Sequence, residues 1–348
     1  MSAQDRSRTL TRDRVRGSPA PPVAPYTDIG RNRDTRATRT PGPDRSLSGN
    51  RRFPAVRNTG RMTRTLVDPH AVPAELRPYL TELVRRAHDL CGTRLVSVVA
   101  VGSVALGDYR HGRSDTDVTL VLDAAPPAPL LTELAAALAH PALPCPAAGL
   151  ELVVYDAGFA ARPSGDAGYL LDLNTGPLLP DRVSLAPSGS PAFWYVIDRS
   201  VAHQAGRTLY GAPAREVIAE PSCADLLTAI RASVREHSAG DGHLADNRVL
   251  NGCRSVRYCR TGRWRPKRRA GREVAAAEAR FRPLVEAALR SYERPSRTDA
   301  AALPAEEVRD FLAWVAAQVD ETAGADAHRR ASAPAAGHGG PDQTAGAG

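Results

Sequence analysis

The chain has 348 residues, 42% hydrophobic and 24% charged, a balance that sustains a packed core and excludes a wholly unstructured polypeptide. Its net charge of +8 is unevenly placed: residues 1–61 hold fourteen Arg against five Asp, and the remainder holds 32 basic and 33 acidic residues. A basic arm on a near-neutral body is poor ground for a nucleic-acid function of the folded part, and no run approaches the roughly 18 apolar residues of a membrane span.

Residues 1–61 are rich in Arg, Pro, Ser, Thr and Gly and show no sustained hydrophobic period. They bury too little apolar surface to offset ordering entropy, so disorder is expected. The early arginines lead into no apolar run, which excludes a secretory signal, and the interspersed Asp and Pro argue against a transit peptide. Met62, the second of two methionines, stands where the composition becomes globular. Two readings of the leader follow: Met62 is the natural start, or residues 1–61 form a basic arm that touches acidic partners.

Pro73 to Leu90 carries apolar residues at helical spacing. Leu95 to Val101 is β-branched and bounded by turn residues, which predicts a buried strand. Asp115 to Leu122 reads as a second strand and Glu151 to Tyr155 as a third, with a helix over Leu130 to His140 between them. This order predicts an α/β (α+β) domain with a small mixed sheet over residues 62–205. Phe193-Trp194-Tyr195 reads as a core cluster at the domain junction, and no strand is expected after it. Ala224 to His237, Arg248 to Cys259, Arg272 to Tyr292 and Ala305 to Val319 repeat at i, i+3, i+4, which predicts four or five antiparallel helices, an all-α bundle over residues 206–321. The Ala/Gly/Pro/His-rich segment from Thr322 to Gly348 is expected to be disordered. Five cysteines without C-x-x-C spacing read as small core residues in a reducing, cytoplasmic setting.

The stretch from Val101 to Val121 carries the chemistry. A buried strand runs into Gly102-Ser103, and eleven residues later Asp115-Thr116-Asp117 enters the second strand. Alternation points Asp115 and Asp117 to one side. Two carboxylates on one face repel unless a cation sits between them, and oxygen-only ligation suits Mg²⁺ shared with substrate phosphates. Gly102-Ser103 supplies a close backbone approach and a hydroxyl for a phosphate.

Gly-Ser, a spacer of eleven and Asp-x-Asp resemble the nucleotidyltransferase fold shared with DNA polymerase β. The longer string G-S-x-x-x-G-D-x-x-x-x-x-S-D-x-D, from Gly102 to Asp117, resembles the aminoglycoside nucleotidyltransferases of the streptomycin/spectinomycin 3″-adenylyltransferase type. The resemblance covers roughly residues 90–320. It implies Mg²⁺ held by Asp115 and Asp117, with ATP as co-substrate bound by Gly102, Ser103 and Ser114. The L-E-L-V-V strand matches the family's L-E-V-x-V, so the general-base role carries to Glu151. Val249-Leu250-Asn251 through Arg254, then Gly262, Lys267 and Ala270-Gly271, resemble the family's C-terminal domain, which implies that Arg254 and Lys267 contact the ATP phosphates. Lys267 is the one lysine among 46 basic residues. Tyr292 matches a nucleotide-contacting tyrosine.

The acceptor site departs from the family. Its tryptophan and acidic residues ahead of the Arg-bearing helix are replaced by S-A-G-D-G-H-L-A-D-N, which leaves Asp241, His243 and Asp246 as candidates. The expected activity is transfer of AMP from ATP to a hydroxyl of an aminoglycoside, by a monomer with no membrane partner. Two alternatives stay open: a nucleotidyltransferase of protein or RNA hydroxyls of the toxin–antitoxin kind, and a non-catalytic nucleic-acid binder using the basic arm. Residues 254–272, with nine basic residues, no acid, and Tyr258 and Trp264 interleaved, read as holding a triphosphate in preference to nucleic acid. Arg231 to His237, an R-x5-H arrangement, reads as a solvated helix face.

Overall fold

The computed structural model describes residues 68–240 and 243–332. The expectations for the leader, Met62 and residues 333–348 lie outside them. Helix α1 (Arg77–Cys91) buries Leu80, Leu83, Val84 and Ala87, the i, i+3, i+4, i+7 stripe read from sequence. Strand β1 (Leu95–Ala100) follows, then the single turn α2 (Gly102–Ala105), β2 (Thr116–Leu122), α3 (Ala128–Leu138) and β3 (Leu150–Asp156). Next come the turn α4 (Ala157–Ala160), β4 (Leu171–Thr175), β5 (Arg182–Ser184), α5 (Ala192–Ala205) and β6 (Arg207–Gly211).

The described strands form one mixed sheet in the order β5-β4-β3-β2-β1-β6, in which β2 and β3 run parallel and the other neighbours antiparallel. Three of its strands were not legible locally. In β4, Asp172 and Asn174 interrupt the apolar pattern, and β5 spans only three residues. Strand β6 lies after Trp194, where no strand was expected, and carries the sheet past residue 205. Its place comes from a distant pairing, Val98 with Tyr210, and from Ser97 Oγ donating to Ala212 O at 2.8 Å.

After the turn α6 (Ala214–Val217) the chain is helical: α7 (Cys223–Ala239), α8 (Ala245–Thr261), α9 (Lys267–Ala277), α10 (Arg282–Tyr292) and α11 (Ala305–Ala331). Ser222 caps α7, its Oγ accepting from Asp225 N at 3.1 Å. The single helix expected over Arg272 to Tyr292 is two. Pro283, in the first turn of α10, lacks the N–H that a through-running helix needs there. Helix α11 continues to Ala331, ten residues into the segment expected to be disordered. Thr322 Oγ1 donates to Gln318 O at 2.8 Å, and the Ala-rich sequence there favours helix.

Side-chain alternation gives the sheet two apolar faces. Val98, Ala100, Val118, Leu120, Leu150 and Leu152 pack with Leu83, Leu134 and Leu138 of α1 and α3. Val99, Val101, Val121 and Tyr155 face the other way, into a core continuous with Ile230, Val256, Phe281, Phe311 and Val315 of the helices. Each such fully buried side chain contributes roughly 1.5–3 kcal/mol, so this shared core holds the helical half against the sheet. Cys91, Cys145 and Cys253 are buried as expected, whereas Cys223 begins α7 at the surface. No helix among the described residues is long and apolar enough to cross a membrane.

Candidate active site

Parallel pairing of β2 with β3 sets Asp117 opposite Glu151, and the neighbouring strands extend this rung through Asn174 and Arg182. All four alternate away from the Leu120/Leu152 face, so they lie on the side that meets the helices. Thr116, between the aspartates, points the other way and is fully buried. The result is a cavity of about 410 Å³ at the sheet–helix junction. Gly102, Ser103, Ser114, Asp115, Asp117 and Glu151 line one side, and Asn247, Arg254, Lys267, Tyr292 and Arg297 the other.

Gly102 is required by its partner. Its φ is +50°, and a Cβ there would lie 1.8 Å from Asp117 Oδ2. Val101 N donates to Asp117 O at 2.9 Å, which ties the end of β1 to the start of β2. The Gly-Ser and Asp-x-Asp segments are therefore two halves of one packing arrangement.

The acidic side is strained by its own charge. Burial raises the Asp117 carboxyl to about 8, and Asp115 and Asp198 add repulsion, which Lys267 and Arg254 oppose. Burial also raises Glu151 well above the usual carboxylate range, reinforced by Asp115, Asp117 and Asp198 and opposed by Arg297. Asp198, on α5, is pushed up to about 6 by burial.

Across the cavity the imbalance is reversed. Burial lowers Arg254 and Lys267, and each of them faces the other's charge or that of the carboxylates. Arg254 Nε is buried without a hydrogen-bond partner among the described residues, its guanidinium 5.2 Å from the Trp264 ring centre. Lys267 Nζ donates to Asn247 Oδ1 at 3.1 Å and lies 5.6 Å from the Tyr292 ring centre. Ser103 Oγ is also buried and has no partner among the described residues, while Ser114 Oγ accepts from Arg110 N at 3.1 Å. Two half-buried cations beside a buried hydroxyl suit a polyanion.

Among the described residues no three His, Cys, Asp or Glu side chains form a cluster that would cage a metal by themselves. Asp115 and Asp117 still fit Mg²⁺, which takes most of its shell from water and phosphate oxygens and needs only one or two protein carboxylates. The mutual repulsion of these carboxylates is what such a cation relieves.

The cavity gathers every described nucleotide-site candidate and, of the three acceptor candidates, His243. Asp246 is fully buried, bonded through Oδ2 to Arg113 and to Ser291 Oγ, and is not among the residues that line this cavity. Helix α8 turns it toward the loop before Asp115, which the sequence did not disclose. Asp241 lies outside the described residues. His243 does line the cavity, stacked 4.8 Å from His237 and 5.9 Å from Trp194.

His237 is not on a solvated face. It is buried, its Nδ1 donating to Ser233 O at 2.7 Å and its Nε2 accepting from Asn251 Nδ2 at 3.1 Å, and burial lowers its pKa to about 4. Arg231, on the outer side, pairs with Asp320. Phe193 and Tyr195 are buried in the core, as expected of their cluster, while Trp194 and one edge of Tyr195 line the cavity. Trp194 and Asp198, one turn apart on α5, supply an aromatic and an acidic wall; their i, i+4 spacing was the available signal. Asp172, Asn174, Arg182, Arg113 and Arg297 line it as well, none with a recognisable local pattern.

The basic stretch 254–272 is partly neutralised in three dimensions. Arg257 pairs with Glu273 at 2.6 Å, Arg260 with Glu278 at 2.7 Å and Arg269 with Glu273 at 2.9 Å, and Arg268 pairs with Asp108.

Residues 216–318, which include Arg254, Lys267, Tyr292 and Arg297, match the family model of the aminoglycoside adenylyltransferase C-terminal domain. The fold is similar to that of spectinomycin adenyltransferase AAD(9) from Enterococcus faecialis, solved with ATP and spectinomycin. The TM-score is 0.51 and the identity 17%, over 69% of this chain and 98% of that one. No curated protein matches the sequence.

Proposed function

We propose that the chain is an aminoglycoside nucleotidyltransferase that transfers AMP from ATP to a hydroxyl of an aminoglycoside and releases pyrophosphate, a reading supported by the match of residues 216–318 to the aminoglycoside adenylyltransferase C-terminal domain and by the similar fold. The observation that carries this reading is the Asp117–Glu151 rung set across one cavity from the half-buried Arg254 and Lys267. A triphosphate satisfies the second group, and a hydroxyl beside Glu151 uses the first.

Glu151 takes the proton of the acceptor hydroxyl as its oxygen attacks the α-phosphorus, and the α–β bridging oxygen leaves with pyrophosphate. A carboxyl raised by its surroundings is a stronger base once ionised, which suits that task. Arg254 and Lys267 stabilise the charge that grows on the departing pyrophosphate, and Ser103 and Ser114 orient the phosphates. Asp115 and Asp117 would hold Mg²⁺, which when bound screens the phosphate oxygens and polarises the α-phosphorus. Trp194 and Asp198 give the acceptor an aromatic face and a negative charge, the two features a polycationic sugar needs.

Incubation with Mg-ATP and a panel including streptomycin and spectinomycin, read by mass spectrometry, tests the reaction. A drug heavier by one adenylyl group, with one pyrophosphate per product, is the expected result. A folded, ATP-binding protein that modifies no drug overturns the acceptor assignment and turns attention to protein and RNA hydroxyls.

Two variants sharpen the assignment. Glu151→Gln is expected to lower kcat by about 10²–10⁴-fold while ATP affinity stays within about twofold. An equal loss in ATP affinity would remove the base role. Gly102→Ala is expected to lose about 100-fold in turnover, since a displacement of Asp117 near 1 Å costs that much. Wild-type turnover in that variant would show that Asp117 needs no such cradle.

A further inference from the structure

Arg297 stands on a short 3₁₀ turn, Arg297–Asp299, between α10 and α11. Its backbone N donates to Gly112 O at 3.2 Å, Arg113 Nη1 donates to Ser296 O at 3.3 Å, and Arg110 Nη2 donates to Glu293 O at 2.6 Å. Gly112 has φ +75°, and a Cβ there would lie 2.7 Å from Pro295 O. The turn and the loop that leads to Asp115 are thus clasped together, so the backbone of Arg297 is held while its side chain extends into the cavity.

That side chain makes one hydrogen bond among the described residues, Nη1 to Asp115 Oδ2 at 3.1 Å. The pair is about a quarter exposed, 26% for Arg297 and 27% for Asp115. A single-pronged, partly solvated ion pair is weak and readily exchanged. The guanidinium also acts on both sides of the site: it opposes the repulsion on Glu151 and adds to the positive charge felt by Lys267. A guanidinium released from Asp115 therefore stays within the field of Lys267, a position that an anion makes favourable.

We infer that Arg297 is the resting counter-ion of Asp115, which it yields to a divalent cation only as its own guanidinium passes to a phosphate of the incoming nucleotide. It is a nucleotide-positioning residue that couples metal binding to nucleotide binding. The inference rests on the reading that Asp115 and Asp117 hold a divalent cation. It adds a residue to the nucleotide site and an order to its filling: metal alone competes with Arg297, whereas metal with triphosphate does not.

The test uses the full chain and two binding measurements. Mn²⁺ is titrated without nucleotide and followed by its paramagnetic resonance signal, and ATP is titrated in EDTA by calorimetry. Arg297→Gln is expected to bind Mn²⁺ about tenfold tighter than wild type, because a competing charge in contact with the ligand has gone, and to bind ATP about tenfold more weakly. Arg297→Lys should lie between the two, and its folding guards against a collapsed Gln variant. Arg182→Gln removes an equal charge from the same cavity, where Arg182 pairs with Asp172 at 2.9 Å, and should change Mn²⁺ affinity by less than about twofold.

Unchanged Mn²⁺ affinity in Arg297→Gln, or an equal gain in Arg182→Gln, overturns the inference by reducing Arg297 to one more charge in the general field. The two failures are distinguishable. A wild type that modifies no drug while Arg297→Gln shows both shifts leaves Arg297 as the counter-ion and removes only the acceptor. A wild type that adenylylates a drug while both affinities stay put removes only the counter-ion.

Discussion

Asp117→Asn is expected to lower adenylyl transfer by at least about 10³-fold, several kcal/mol of lost electrostatic stabilisation, while the protein stays folded. Asn keeps the shape that Gly102 accommodates and removes only the charge. The stability prediction has a definite sign. The Asp117 carboxyl is raised from an ordinary 3.8 to about 8 in the folded chain. Its neutral form is favoured by folding, so its contribution is fully present below pH 4 and is lost as the pH climbs through 8. The ligand-free variant should therefore melt higher than the wild type at pH 8, by a margin that narrows toward pH 4. Turnover close to wild type in a correctly folded Asp117→Asn would take away the role assigned to the Asp-x-Asp motif. A lower melting temperature at pH 8 would show that the carboxylate is stabilised by its surroundings, contrary to the repulsion described.

Asp246→Ala is expected to give the largest loss of stability, about 3–5 kcal/mol, because it strands a buried charge. Arg113 and Asp246 are both almost fully buried, and Asp246 Oδ2 serves Arg113 and Ser291 together. Arg113 also lies 5.0 Å from the Tyr292 ring centre and reaches Ser296 O, so the pair is the pin between the Asp115 loop and the α10–α11 turn. A loss of that size lowers the melting temperature by roughly 10 °C in a chain of this length. Substituting both partners, Arg113→Met with Asp246→Leu, should recover most of it, because no uncompensated charge remains. Activity should recover less, since apolar partners do not restore the Ser296 bond that holds Arg297 in register. A single Asp246→Ala variant with wild-type melting would mean that water reaches Arg113 and that the junction is not sealed.

The distinction between pinned and unpinned charge also explains why the acceptor candidates fell where they did. Asp246 has an acidic side chain at the right distance along the chain from Arg254, yet its carboxylate is consumed by structure. Asp198 and Trp194 come from a helix of the sheet-bearing half and remain open to the cavity. Position along the chain could not separate these two fates, because both depend on which partner faces the residue.

Read alone, the sequence determined the elements whose signals are local. Short β-branched and apolar runs bounded by turn residues gave β1, β2 and β3, helical spacing gave α1, α3, α7 and α8, and the Gly102-Ser103…Asp115-x-Asp117 string, with Glu151 opening the next strand, marked one end of the sheet. Those signals are local because backbone alternation and turn chemistry are set within a few residues. Tertiary structure alone decided the register that sets Asp117 beside Glu151 and the recruitment of β4, β5 and β6. It alone also decided that Arg113 meets Asp246 and that Arg297 meets Asp115, pairs separated by 133 and 182 residues. The physical reason is that a charge carries no mark of its partner: whether it is spent on the fold or left for a ligand depends on burial and on the opposite wall, and both exist only once the chain has closed on itself.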